Sequence, residues 1–221
     1  MPKEKSNSKM RGDLSPCDLQ TGVRAVHNRF SCPDISRTGI RWIVILLGMA
    51  SLNLPAIASS AAQTDTGSTL TTKEANKLVQ YHNKVRVEVG VGPVKWSPIV
   101  ATFAQQWANE VARTGEVRHR PREGKWKQKY GENIAWGFGG AHDVLSGAER
   151  WYAAIKFYTP GTPIPDSFGN FKAGHYTQMV WKDTTEIGAG KAIIQTGERK
   201  GWLVIVCNYN PPGNLIDKKP C

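Results

Sequence analysis

The sequence predicts an α+β fold with helices on both sides of a small antiparallel sheet. Three observations lead there. Two long segments carry apolar residues at helical spacing, and a third, shorter one follows them. Two runs near the C-terminus read as strands joined by a turn. The 221-residue length, with eight Trp, six Tyr and six Phe, supports one packed globule plus an extension rather than disorder.

The first helix is capped by Thr71-Thr72, with Glu74 in its first turn. Ala75, Leu78, Val79, His82, Val85 and Val89 recur on one face, and Gly90 follows as a left-handed stop. Ser97 caps the second helix. Pro98 sits in its first turn, where the missing N–H costs nothing. Ile99, Val100, Phe103, Ala104, Trp107, Ala108 and Val111 form its expected buried face. Asp143 caps a third helix with Val144, Ala148, Trp151 and Ile155 as its stripe. Residues 159–174 hold three Pro and three Gly and read as loop. A short fourth helix is expected over 175–181. Strands are expected over 187–195 and 201–207, with a turn at 196–200. Continuous apolarity from Trp202 to Val206 marks a central strand covered on both faces.

Ahead of this domain, at residues 71–221, three segments are distinguished. Residues 1–41 are a basic extension. Residues 42–58 are a signal-peptide apolar region, preceded by Arg37 and Arg41 and ending in Ala56-Ile57-Ala58. Residues 59–70 read as a flexible linker rich in Ser, Thr, Ala and Gly. The apolar run is interrupted by Ser51, Asn53 and Pro55, and is short for a stable span of ~20 residues. Cleavage near Ala58 or Ala62 is preferred, giving a secreted, extracellular or periplasmic protein; a membrane anchor through 42–58 is the alternative.

The net charge is +11, and residues 1–58 hold eight Lys or Arg against four Asp or Glu, so the domain is basic in its own right. Such a surface attracts anionic partners. Residues 118–129 hold Arg118, Arg120, Arg122, Lys125, Lys127 and Lys129 around Trp126. A solvated loop is the leading reading, with an anionic membrane or cell-surface component next; nucleic acid is not expected for an exported chain. Of four cysteines, Cys17 and Cys32 precede the apolar segment. A Cys207–Cys221 bridge would stabilise by ~3 kcal/mol, and two free thiols is the equal alternative.

Four segments then match one pattern. Gly174-His175-Tyr176-Thr177-Gln178-Met179-Val180-Trp181, the run Val204 to Leu215 with its Pro-Pro-Gly-Asn tail, Gly131-Glu132-Asn133-Ile134 and His82-Asn83-Lys84-Val85-Arg86 occur in family order. With them the chain resembles the CAP superfamily, the cysteine-rich secretory, antigen-five and pathogenesis-related group. Gly90 to Trp96 resembles the plant pathogenesis-related branch in particular. The resemblance implies an α-β-α sandwich with a long cleft. It also implies that His119, Glu132 and His175 stand in that cleft. A fourth cleft residue, normally Glu, falls on Ala154.

Two imidazoles and a carboxylate are a sensible ligand set for zinc, weakly or transiently held. A metal-dependent peptidase or esterase using these three residues is therefore one hypothesis. The missing carboxylate at Ala154 argues against it, and no H-E-x-x-H or G-x-S-x-G motif occurs. The favoured reading is a secreted, monomeric binding module for lipid or sterol, or another extracellular ligand, with a defence or host-interaction role. Trp136, Phe138, Phe157 and Tyr158 are expected to line its apolar groove. Several residues read as structural. His82 is expected to hydrogen-bond, Asn83 and Arg86 to tie the first helix to loops, and His142 to be exposed.

Overall fold

In the computed structural model the described residues are 65–140, 142–167 and 171–221. The extension and the apolar segment at 42–58 lie outside them. No helix among the described residues is long and apolar enough to cross a membrane.

Helix α1 spans Thr72–Glu88 and begins in a capping box. Thr71 Oγ1 accepts from the Glu74 N–H, and the Glu74 carboxylate accepts from the Thr71 N–H. Strand β1 is Lys95–Trp96. Helix α2, Pro98–Thr114, starts on Pro98 and stops at Gly115 in the left-handed conformation. Strand β2 is Gly131–Gly137. Helix α3, Val144–Tyr152, is capped by Asp143, which accepts from the Leu145 and Ser146 N–H groups. A 3₁₀ turn over Ala153–Phe157 prolongs it. Helix α4 is Gly174–Met179, and strands β3 and β4 are Glu186–Ile193 and Leu203–Asn210.

The strand order is β1-β3-β4-β2. β3, β4 and β2 are antiparallel neighbours, and the two-residue β1 joins β3 in parallel. The sheet is thus mixed rather than purely antiparallel. β4 lies between two strands, as its unbroken apolar run requires, and Val204 to Tyr209 are all buried. Two core clusters occupy the two faces. One is built on α2 with Trp107, Val111, Ile134 and Val206. The other joins α1, α3 and α4 through Leu78, Val85, Trp151, Tyr176 and Met179. This is the α-β-α sandwich.

Glycine permits the closest helix-sheet approach. A Cβ on Gly188 would stand 2.1 Å from the Ala101 nitrogen, so α2 rests backbone-to-backbone on β3.

Several expectations are corrected. Ile99 points into water at 76 % exposure, because the α2 face that meets β3 is centred on Val100, Ala101 and Ala104. Residues 65–70, expected to belong to a linker, are packed. Leu70 is buried, the Thr66 carbonyl accepts from the Trp96 indole, and Thr69 bonds Gln105. The Cys207–Cys221 bridge is not made. Cys207 is a free thiol buried in mid-strand among core residues, and Cys221, itself disulfide-bonded, is not its partner. His142 is buried rather than exposed, its ring lying where a Cβ on Gly137 would go.

Candidate functional site

The site is assembled from three segments that the core fixes separately. His119 lies on the connection between α2 and β2, pinned on both sides. The Arg118 carbonyl accepts from the Trp107 indole at 2.9 Å. The Arg120 guanidinium lies 3.6 Å from the Phe103 ring centre and about 5.4 Å from that of Trp107, and it donates to the Phe103 carbonyl. Arg120 is therefore a buried aromatic-stacked residue, not part of a solvated basic run. Arg118, Arg122, Lys125, Lys127 and Lys129 remain exposed.

Glu132 comes from β2, with its side chain buried. Its Oε1 accepts from His119 Nδ1 at 2.8 Å and from the Arg120 backbone N–H at 3.1 Å. Asn208, across the strand pair, donates to the Gly131 carbonyl and reaches Glu132 Oε2 at 3.5 Å. Because a carboxylate only accepts, the proton of a neutral His119 sits on Nδ1 and the lone pair of Nε2 is presented outward.

His175 opens α4. Asn133 Nδ2 donates to the His175 carbonyl at 3.0 Å. Asn214 donates to the Gly174 carbonyl and accepts from Thr177, tying the Pro-Pro-Gly-Asn tail to this helix. The Gly213 N–H donates to Gln178 Oε1, and Gly131 lies so close that a Cβ there would meet the same oxygen at 2.2 Å. The long sequence motifs are thus interlocked parts of one joint, with His175 at its end. Burial, and secondarily the neighbouring His119, lower the His175 pKa and favour its neutral form.

Two cavities meet at His175. One, of about 220 Å³, is lined by His119, Glu132, Asn133, Phe171, Lys172, Gly174, His175 and Asn214. The other, of about 430 Å³, is lined mainly by Trp136, Phe138, Trp151, Trp202, Arg150 and His175. The structure therefore brings His119, Glu132 and His175 to one depression. Trp136 and Phe138 line the larger cavity as expected. Phe157 and Tyr158 do not: Phe157 lies under Lys156 and Lys172, and Tyr158 packs on Tyr176. Arg150, Trp202 and Lys172 were not legible as site residues, since no motif carries them; only the packing of α3 and the strand ends brings them in.

For a metal ion the trio offers two imidazoles and a carboxylate that is already engaged. Among the described residues no three His, Cys, Asp or Glu side chains form a metal-holding group, and Glu132 Oε1 is already engaged by two donors. Ala154 is buried in the apolar cluster around Trp151 and Tyr176, so no fourth carboxylate is supplied there. What remains is an imidazole-carboxylate pair able to act as a base toward water. Among the described residues no Ser, Thr or Cys lines the smaller cavity to act as a covalent nucleophile. Ser146 caps α3 beside His142 instead.

The model of the cysteine-rich secretory protein family, CAP, matches residues 79–209. Pathogenesis-related protein 1C of Nicotiana tabacum is 34% identical over 139 residues, covering 63% of this chain and 76% of that protein. The PR-1 type pathogenesis-related protein of Sambucus nigra is 36% identical over 144 residues, covering 64% and 78%. Among solved structures, BmVAL-1 superposes with a TM-score of 0.57 at 24% identity, over 70% of this chain and 84% of that one. NaASP2, solved with Zn2+, gives 0.57 at 18% identity over 68% and 86%. These two share the fold.

Proposed function

The chain belongs to the cysteine-rich secretory protein (CAP) family, and from that premise we propose that it is an exported binding module for an amphiphile of the lipid or sterol class. A defence or host-interaction role follows the naming of its pathogenesis-related relatives. The observation that carries the reading is the position of His175 in the walls of both cavities. An apolar body fits the larger, aromatic-walled cavity, and a hydroxyl or acid group reaches the polar smaller one. Each methylene moved from water into such a cavity contributes about 0.8 kcal/mol. Few, well-placed polar groups on apolar walls are what small-molecule sites share.

The test is saturable binding of radiolabelled cholesterol and palmitate to the purified exported protein. Binding at micromolar concentration, weakened at least fivefold by Trp136→Ala or Phe138→Ala, is expected. A folded protein that retains neither probe would reject the reading.

A second reading, hydrolysis by water activated at His119, is favoured by the 2.8 Å pair with Glu132. Its test is turnover of p-nitrophenyl esters, which must disappear in His119→Ala. No metal-dependent step is included, since the Glu132 carboxylate is already engaged.

A further inference from the structure

We infer that the larger cavity is a site for a planar aromatic carboxylate, anchored by the Arg150 guanidinium. This rests on the reading of that cavity as a ligand site and assigns it a ligand class distinct from lipid and sterol.

The walls set the shape of the body. Trp136, Phe138, Trp151 and Trp202 supply four ring systems, with Phe138 and Trp202 6.2 Å apart and tilted at 46°. Phe138 stands 70 % exposed at the mouth, an aromatic face without a cover of its own. Flat rings gain most from such surroundings, by offset stacking as well as by area. At about 430 Å³ the cavity is near the small end of the ~300–1,000 Å³ range of ligand pockets, enough for a few fused rings.

The charge sets the head group. Arg150 Nη1 donates to the Trp136 carbonyl at 2.8 Å, which fixes the guanidinium against the wall through one of its five N–H groups. Among the described residues the cavity has no Asp or Glu in its lining, and no carboxylate lies within ion-pair distance of Arg150. The other ionisable lining group, His175, is held toward neutrality. Arg150 is itself exposed, and its remaining donors, at the wall of an apolar chamber without a counter-charge, suit a carboxylate, which they can grip in bidentate fashion.

The edge of the sheet excludes a competing occupant. β2 is an outer strand, where an extended peptide would ordinarily add. The Trp151 indole donates to the Ile134 carbonyl and Arg150 to the Trp136 carbonyl, so two of the acceptors such a peptide needs are capped by α3.

The experiment compares 2-naphthoate with 2-naphthylmethanol, equal in shape and different in charge, on the full chain by calorimetry and tryptophan quenching near neutral pH. The acid is expected to bind at least tenfold more tightly. Arg150→Gln should lose at least tenfold for the acid and leave the alcohol unchanged. Arg150→Lys, which keeps the charge without the fork, should fall between and serves if the first variant does not fold. Phe138→Ala should weaken both probes. Equal binding of acid and alcohol, with neither Arg150 variant having an effect, overturns the anchor while leaving the cavity as a ligand site. If neither naphthyl probe binds but cholesterol or palmitate does, the aromatic acid is wrong and the module reading stands. If none of the four compounds binds, both fall.

Discussion

The Tyr209 hydroxyl donates to Nε2 of His82 across 2.9 Å in the centre of the molecule. The direction follows from the other ring nitrogen: His82 Nδ1 faces the Leu78 carbonyl at 2.8 Å and must carry the proton. Asn133 in turn donates to the Tyr209 oxygen at 3.0 Å and to the His175 carbonyl. One buried chain of hydrogen bonds thus links α1, β4, β2 and the start of the site helix.

Acid should weaken the fold through this histidine. Burial pulls the His82 pKa from 6.5 down to about 4. Above 6.5 neither folded nor unfolded chain binds the proton, and stability is unaffected. Below it the unfolded chain takes up a proton that the folded one excludes, so stability is lost as pH falls from about 6.5 to about 4. The loss is on the order of 3 kcal/mol, and His175 and His142, also lowered, add in the same direction. Urea melts at stepped pH measure it. A midpoint unchanged across that window would contradict the assignment.

Tyr209→Phe removes the hydroxyl that His82 and Asn133 share. With both buried groups deprived of a partner, a cost of about 1–3 kcal/mol is expected. Chemical denaturation reads it directly, and a change below a few tenths would show the network to be energetically idle.

Arg86 is almost wholly buried and donates to four carbonyls: Gly92, Met179, Trp181 and Thr184. Arg86→Lys keeps the charge but cannot reach four acceptors with a compact ammonium group. A loss of about 2–4 kcal/mol is expected, with faster amide exchange over residues 179–184. Exchange that stays at the wild-type rate there would count against the bracing role.

Gly188→Ala should be among the costliest single-methyl insertions, about 3 kcal/mol or enough to prevent folding, since its Cβ would fall 2.1 Å from backbone of α2. Gly92→Ala, where nothing lies within 4 Å, is the matched control and should stay within about 0.5 kcal/mol of wild type. Thermal melts of the pair decide the point.

The Cys207 thiol should be inert. Burial pushes its pKa up to about 12, and the thiolate is the reactive form. Labelling by a disulfide reagent should proceed at the rate of global unfolding; fast labelling of the folded protein would be the contrary result.

Thr71 with Glu74, Pro98 and Asp143 announced their helices because capping is decided within one turn of chain. The Val204–Val206 run announced an interior strand because burial on both faces leaves no room for alternation. Glu132 and His175 were legible through motif resemblance. β2 was not, because Gly131, Glu132 and Asn133 carry no apolar alternation, and Asn208, Gln178 and Tyr209, far along the chain, supply their partners.

The sequence by itself determined the helices, the central strand and the family pattern, and through that resemblance it pointed to the residues of the polar cleft. The helices and the strand are written in spacing and in local hydrogen-bond chemistry. Only the tertiary structure decided that Arg120 is stacked inside, that Ile99 faces water, that Cys207 has no disulfide, and that Arg150 lines an aromatic chamber. Each of those depends on contacts between segments far apart in the chain, and a side chain's own type does not say which surface it will meet.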